Sequence, residues 1–222
     1  MLTRQDRTIA DCLNLFELVR PLGLKHVGFK DVGVPPSTLA ALNAAIRASG
    51  ATSYMEVVST TAETCLNSAR VAVELGVDCL MGGTDVAAVQ EIVQGSAIRF
   101  FPFPGFPRGH PTKLAGTPED VEAHCYAFAA KGCAGADLLA YRATEADPLA
   151  LIRAAKKGLG RKPLIVAGSI ASKAQVKAIA EAGADAFTIG SAVFDGSYAP
   201  NMGSIASQLA EVQADCQAAV RA

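Results

Sequence analysis

Seven short runs of strand character, each followed by a longer stretch of helical period, constrain the fold of this chain more than any other feature. The runs are HVGFK (26–30), SYMEVVS (53–59), DCLMG (78–82), IRFFPF (98–103), ADLLAY (136–141), PLIVAG (163–168) and AFTIG (186–190). Strands separated by helices do not pair as hairpins; they pair in parallel through crossover connections. The helix starts are marked. Thr60-Thr61-Ala62-Glu63 and Ser172 with Gln175 have capping-box form, and Thr117-Pro118 and Asp147-Pro148 place proline behind an N-cap. Helix ends fall at Gly50, Gly76, Gly95, Gly132, Gly158 and Gly183.

A parallel barrel needs an eighth strand. The stretch Thr8 to Arg20, with Ile9, Leu13, Phe16 and Val19 on one face, reads as a helix ahead of HVGFK, so only MLTR is left to supply a short or truncated first strand. The expected fold is therefore α/β: a (β/α)8 barrel forming one domain over residues 1–222. The rival is an open, seven-stranded doubly wound sheet. A repeat favours the barrel. ELGVDCLMGGT (74–84) and EAGADAFTIGS (181–191) both read E-x-G-x-D-x-x-x-x-G-[ST] and stand 107 residues apart, close to half of the 222-residue chain. Two related half-barrels would produce this pattern, although any helix–Gly–strand junction resembles it in part.

The composition narrows the function. A net charge of −1 gives no electrostatic footprint for nucleic acid. No apolar run approaches the roughly 20 residues of a membrane-spanning helix, and MLTRQDRT lacks the layers of a signal peptide. The expectation is a soluble, cytoplasmic protein, with homo-oligomerisation left open. Cys12, Cys65, Cys79, Cys125, Cys133 and Cys216 form no C-x-x-C pair and read as reduced, mostly buried thiols. His26, His110 and His124 lack metal-ligand spacing, so no metal and no cofactor is expected.

The strongest chemical signal is VAGSIAS (166–172) followed by EAGADAFTIGSAVF (181–194). Gly168-Ser169 and Gly190-Ser191 end two adjacent strands. Small residues let backbone amides approach a ligand, hydroxyls add donors, and helix N-termini beyond them favour an anion. Phosphate sites in barrels commonly lie after strands seven and eight.

The segment GSIASKAQVKAIAEAGADAFTIGSAVF resembles the C-terminal signature of the ribulose-phosphate-binding barrels. That group includes the histidine- and tryptophan-biosynthesis barrels, thiamine-phosphate synthase and N-acetylmannosamine-6-phosphate epimerase; flavin-mononucleotide barrels share a similar pattern. The specific motif covers the last quarter of the chain, and the strand–helix order extends the likeness to the rest. The resemblance implies a phosphorylated small molecule held by Gly168, Ser169, Gly190 and Ser191, and it carries over no reaction. The catalytic aspartates of the histidine-pathway isomerases on strands one and five have no counterpart in MLTR and IRFFPF. The imine-forming lysine that many aldolases carry on strand six is missing from ADLLAY.

The chemistry is instead argued from strand parity. In HVGFK, Val27 and Phe29 suit the helix-facing side, which turns Lys30 inward. In SYMEVVS, Met55 and Val57 do the same for Glu56. Neighbouring strands would bring Lys30 and Glu56 together, each supplying the counter-charge that burial demands. Such a pair is either a structural ion pair or a proton-transfer site; Lys30 as an imine-forming amine is a further alternative. The parity also separates Lys30 from its neighbour Asp31.

Arg4 and Asp6 follow the first strand, and Asp85 follows Gly82-Gly83-Thr84. Asp85 and Arg142 are candidate substrate contacts, Arg142 for a carboxylate or second phosphate. If the half-chain repeat is real, Ser59, Thr60, Gly83 and Thr84 would form a second anion site. The loop PFPGFPRGHPTKLAGTP (102–118), with Arg108, His110 and Lys113, reads as a binding loop or lid, and His110 as an auxiliary acid–base.

The resulting expectation is an enzyme acting on a phosphorylated carbonyl metabolite by isomerisation or epimerisation through Lys30 and Glu56. The alternatives are an aldolase or lyase using a Lys30 imine, and a non-catalytic phosphometabolite-binding barrel.

Overall fold

The computed structural model describes residues 1–57, 61–109 and 111–221, apart from the side chains of Val220 and Arg221. The chain forms two compact units, Met1–Pro102 and Phe103–Ala222, and their boundary falls near the midpoint that the repeat marks.

The first unit opens with a hairpin, β1 (Thr3–Arg4) and β2 (Arg7–Thr8), paired antiparallel. It continues through α1 (Cys12–Val19), β3 (His26–Lys30), α2 (Pro36–Ala48), β4 (Thr52–Glu56), α3 (Ala62–Leu75), β5 (Cys79–Met81), α4 (Val86–Val93) and β6 (Arg99–Phe101). Strands β3-β4-β5-β6 form a parallel sheet in sequence order. Phe29, Met55, Leu80, Leu39, Leu42 and Ile46 are fully buried and form much of its core. The MLTR segment meets β3 through the Leu2 N–H, which donates to the Gly28 carbonyl at 2.7 Å, while its Thr3 and Arg4 pair antiparallel with β2 in place of a longer parallel first strand. The helix expected from Thr8 is corrected: Thr8 belongs to the hairpin, and α1 starts at Cys12. The α3 N-cap is Thr61, whose side chain makes no capping bond; Thr60 lies outside the described residues.

The second unit runs through β7 (Phe106–Arg108), β8 (Lys113–Ala115), α5 (Pro118–Ala130), β9 (Ala136–Leu138), α6 (Pro148–Leu159), β10 (Leu164–Val166), α7 (Lys173–Glu181), β11 (Ala186–Phe187), α8 (Ser191–Phe194) and α9 (Ile205–Arg221). Strands β9-β10-β11 are parallel. Thr117, Asp147 and Ser172 cap α5, α6 and α7 as their sequences predict. Gly158 does not end a helix. It lies inside α6, where an added Cβ would press on the Glu122 carbonyl and stand 2.9 Å from the Cys125 Cβ, so α5 passes too close there for a side chain. The Pro- and Gly-rich loop is corrected as well: β7 and β8 pair antiparallel within it, Arg108 opposite Lys113.

The repeated E-x-G-x-D element does the same work in each unit. Asp78 accepts the Ser53 N–H at 2.8 Å and meets Arg47 of α2 at 3.4 Å. Asp185 accepts the Leu164 N–H at 2.8 Å and meets Lys156 of α6 at 2.7 Å. Each aspartate thus fastens the start of its own strand to the strand before it and to the helix that leads into that earlier strand.

Five of the six cysteines are buried and Cys216 is half-buried. Burial pushes the Cys125 thiol up to about 12. Among the described residues, no helix is long and apolar enough to cross a membrane.

Candidate active site

Parallel register sets Lys30 directly opposite Glu56 at the C-terminal ends of β3 and β4. Lys30 Nζ lies 3.1 Å from Glu56 Oε1, and both side chains are 7% exposed. A carboxylate that the parity argument does not reach completes the group: Asp6 Oδ1 stands 3.0 Å from the same Nζ and is equally buried. The Lys30 backbone is fixed too, since Thr8 Oγ1 accepts its N–H and donates to its carbonyl, both at 2.8 Å. Gly33 permits the hairpin to sit this close; a Cβ there would stand 2.7 Å from the Thr8 nitrogen.

The electrostatics follow from this packing. Burial alone would lower the Lys30 pKa, but Glu56 and Asp6 outweigh it and hold the ammonium above the ordinary lysine value. The Met1 amino group lies in the same field. Burial pushes it down to about 6, with Glu56 pulling it up and Lys30 pushing it further down. Asp31 points away, as alternation requires: its carboxylate accepts from the Ser68 hydroxyl on α3.

In the second unit, Thr188 N–H donates to the Val166 carbonyl at 2.9 Å, so β10 and β11 end side by side. Their extensions carry Gly168-Ser169 and Gly190-Ser191. Gly168 has φ +77° and Ser169 φ +61°, a left-handed turn before the Ser172 cap of α7. Ser191 opens α8. Arg142, in a 3-10 turn after β9, lies against Gly168: an added Cβ would stand 2.9 Å from the Arg142 Cδ. Arg142 thus stands beside the Gly168-Ser169 turn. Its Nη1 reaches the Thr112 carbonyl at 3.5 Å.

The remaining candidates are more ordinary. Asp85 caps α4 by accepting the Ala88 N–H at 3.2 Å, so its carboxylate already has a structural duty. Arg108 is exposed on β7. His110, Ser59 and Thr60 lie outside the described residues, and Gly83, with φ +82°, and Thr84 lie between β5 and α4. The sequence places Asp6 after the first strand but not beside Lys30, and it gives no sign of Asp137. Asp6 hides in a stretch too short for periodicity, and Asp137 is completely buried within the apolar run of β9. Among the described residues, no three His, Cys, Asp or Glu side chains are grouped to hold a metal.

No protein-family model and no curated protein matches the sequence. Solved structures do match over nearly the whole chain. A structure described as native KDPGal aligns with TM-score 0.70 at 13% identity, covering 96% of this chain and 91% of its own. Orotidine 5'-phosphate decarboxylase from Pyrococcus horikoshii OT3 aligns with TM-score 0.64 at 13% identity, covering 93% of each chain. Thiamine phosphate pyrophosphorylase from Pyrococcus furiosus aligns with TM-score 0.60 at 14% identity, covering 91% and 89%. The chain has the (β/α)8-barrel fold.

Proposed function

We propose that this protein is an enzyme that moves a proton on a phosphorylated carbonyl metabolite, as an isomerase or epimerase. The observation that carries the reading is the buried Lys30–Glu56 pair, 3.1 Å apart at the ends of neighbouring strands. Active sites of (β/α)8 barrels occupy that end of the strands. The Gly168-Ser169 and Gly190-Ser191 turns, with Arg142, supply the chemistry of a phosphate site. Orotidine 5'-phosphate and thiamine phosphate, named for two proteins of like fold, are phosphorylated small molecules, which supports the substrate class.

In this reading the Glu56 carboxylate removes a proton from the carbon beside the substrate carbonyl. The C–H electron pair moves into the carbonyl, and the enolate oxygen gains the charge. The Lys30 ammonium stabilises that oxygen. Returning the proton to the opposite face epimerises the centre; returning it to the neighbouring carbon, with a hydroxyl proton shift, isomerises the sugar. A lyase working through a Lys30 imine requires a neutral amine, and two carboxylates on the ammonium work against that.

The test is proton exchange in D2O. Triose to hexose phosphates are incubated with the protein and deuterium at the carbon next to the carbonyl is followed by NMR. Exchange that disappears in Glu56→Gln supports the assignment. Exchange at an unchanged rate in Glu56→Gln overturns it. Binding of these esters without exchange by the wild type overturns the enzymatic reading in favour of a binding barrel.

A further inference from the structure

We propose that Asp6 is the positioning residue of this site: the N-terminal hairpin delivers it to hold the Lys30 ammonium against Glu56, which commits the site to enolate rather than imine chemistry. The inference rests on the proton-transfer reading and names the residue that makes it selective.

Three observations converge on Asp6. Its carboxylate accepts from Lys30 Nζ at 3.0 Å, almost the distance of Glu56 at 3.1 Å, and both carboxylates are nearly inaccessible. The hairpin presenting it has a two-residue turn, Gln5-Asp6, with φ +51° and +57°. Two successive non-glycine residues in the left-handed region are unfavourable, and aspartate is among the few side chains that tolerate it. The hairpin is also anchored to the strand it serves: Thr8 brackets the Lys30 backbone, and Thr8 N–H donates to the Val32 carbonyl at 2.8 Å. The turn therefore places its carboxylate from a backbone already locked to its target.

The two carboxylates divide the work. Glu56 stands on β4, flanked by β3 and β5, in line with the strand ends. Asp6 approaches from the turn. An ammonium has three donors; two go to these carboxylates, and the third is the one that a substrate oxygen would take. The groups facing Lys30 are Asp6 from the turn, Glu56 from β4 and the Met1 amino group from the segment ahead of β1. Asp6 and Glu56 are the two that favour the charged amine.

The test needs no substrate of known identity. Lysine is labelled with 13C at Cε, and the Lys30 resonance, assigned by its loss in Lys30→Met, is titrated by NMR in the wild type, Asp6→Asn and Asp6→Gly. Asparagine tolerates the turn and glycine relaxes it, so both variants keep the hairpin while removing the charge. The Lys30 midpoint is expected to move down in both. In parallel, glyceraldehyde 3-phosphate and cyanoborohydride report on imine formation by mass mapping of the Lys30 peptide. Trapping is expected to rise about tenfold or more in both variants, the gain in neutral amine that one pKa unit provides. A Lys30 midpoint that stays at the wild-type value in both variants overturns the proposal. That result is distinct from failure of the proton-transfer reading, which shows as deuterium exchange surviving Glu56→Gln or as ester binding without exchange in the wild type.

Discussion

Lys30 sets how this protein meets alkali and how it tolerates substitution. Its folded pKa lies above the ordinary 10.5. The stabilisation it gives is therefore complete below pH 10.5 and is lost as pH rises from there through the folded value. Denaturant midpoints followed from about pH 8 to about pH 12 are expected to fall more steeply in the wild type than in Lys30→Met. Lys30→Met itself leaves two buried carboxylates without their counter-ion and is expected to cost about 3–5 kcal/mol, read by urea unfolding at neutral pH. The Lys30–Glu56 contact was legible because both residues lie on strands long enough for alternation to assign a face. Asp6 was not, because β1 and β2 have two residues each and a turn obeys no period. A strained two-residue turn shows only in φ angles.

At the scale of elements, capping chemistry was the most readable layer. Thr117, Asp147 and Ser172 satisfy helix N–H groups as their sequences require. Glycine was the least readable, because one residue type serves two purposes. Gly183 follows α7 with φ +100°, whereas Gly158 sits inside α6 because α5 passes too close for a side chain. Gly158→Ala separates the effects. Helix propensity favours alanine by about 1 kcal/mol, but overpacking costs about 1–3 kcal/mol. A net loss in thermal stability is expected where an ordinary helical glycine would give a gain. The same scale explains α9. Asp215 on this helix is buried, accepts the Tyr198 hydroxyl at 2.9 Å and pairs with Lys173 at the start of α7 at 2.6 Å. Gln208 adds bonds to the carbonyls of Ala199 and Met202 at 2.6 and 2.8 Å. Helix α9 thus secures the segment following the Gly190-Ser191 turn. Asp215→Ala is expected to lose about 1–3 kcal/mol through the orphaned Tyr198 hydroxyl, measured by chemical unfolding.

For the whole molecule, the fold was legible in the order of its elements, since βα alternation survives at 13% identity to structures of like fold. The half-chain repeat gains a physical meaning that the letters alone lacked. Asp78 and Asp185 each receive the N–H of a buried residue on the preceding strand. Alanine at either position is expected to cost about 1–3 kcal/mol. The two costs are expected to add within about 0.5 kcal/mol, because the aspartates lie in separate units and share no partner.

The hairpin turn also bears on the order in which the chain acquires its chemistry. Asp6 is synthesised 24 residues before Lys30, and the strand carrying Glu56 comes later still. Until β3 has been made, Asp6 lacks Lys30 and its left-handed turn lacks the Thr8–Lys30 bracket, and the cluster is complete only when β4 adds Glu56. The charged cluster therefore closes a long loop, whose entropy must be met by the packing of β3 and β4. During synthesis or refolding, the buried lysine acquires its full restraint only when β3 and β4 are in register.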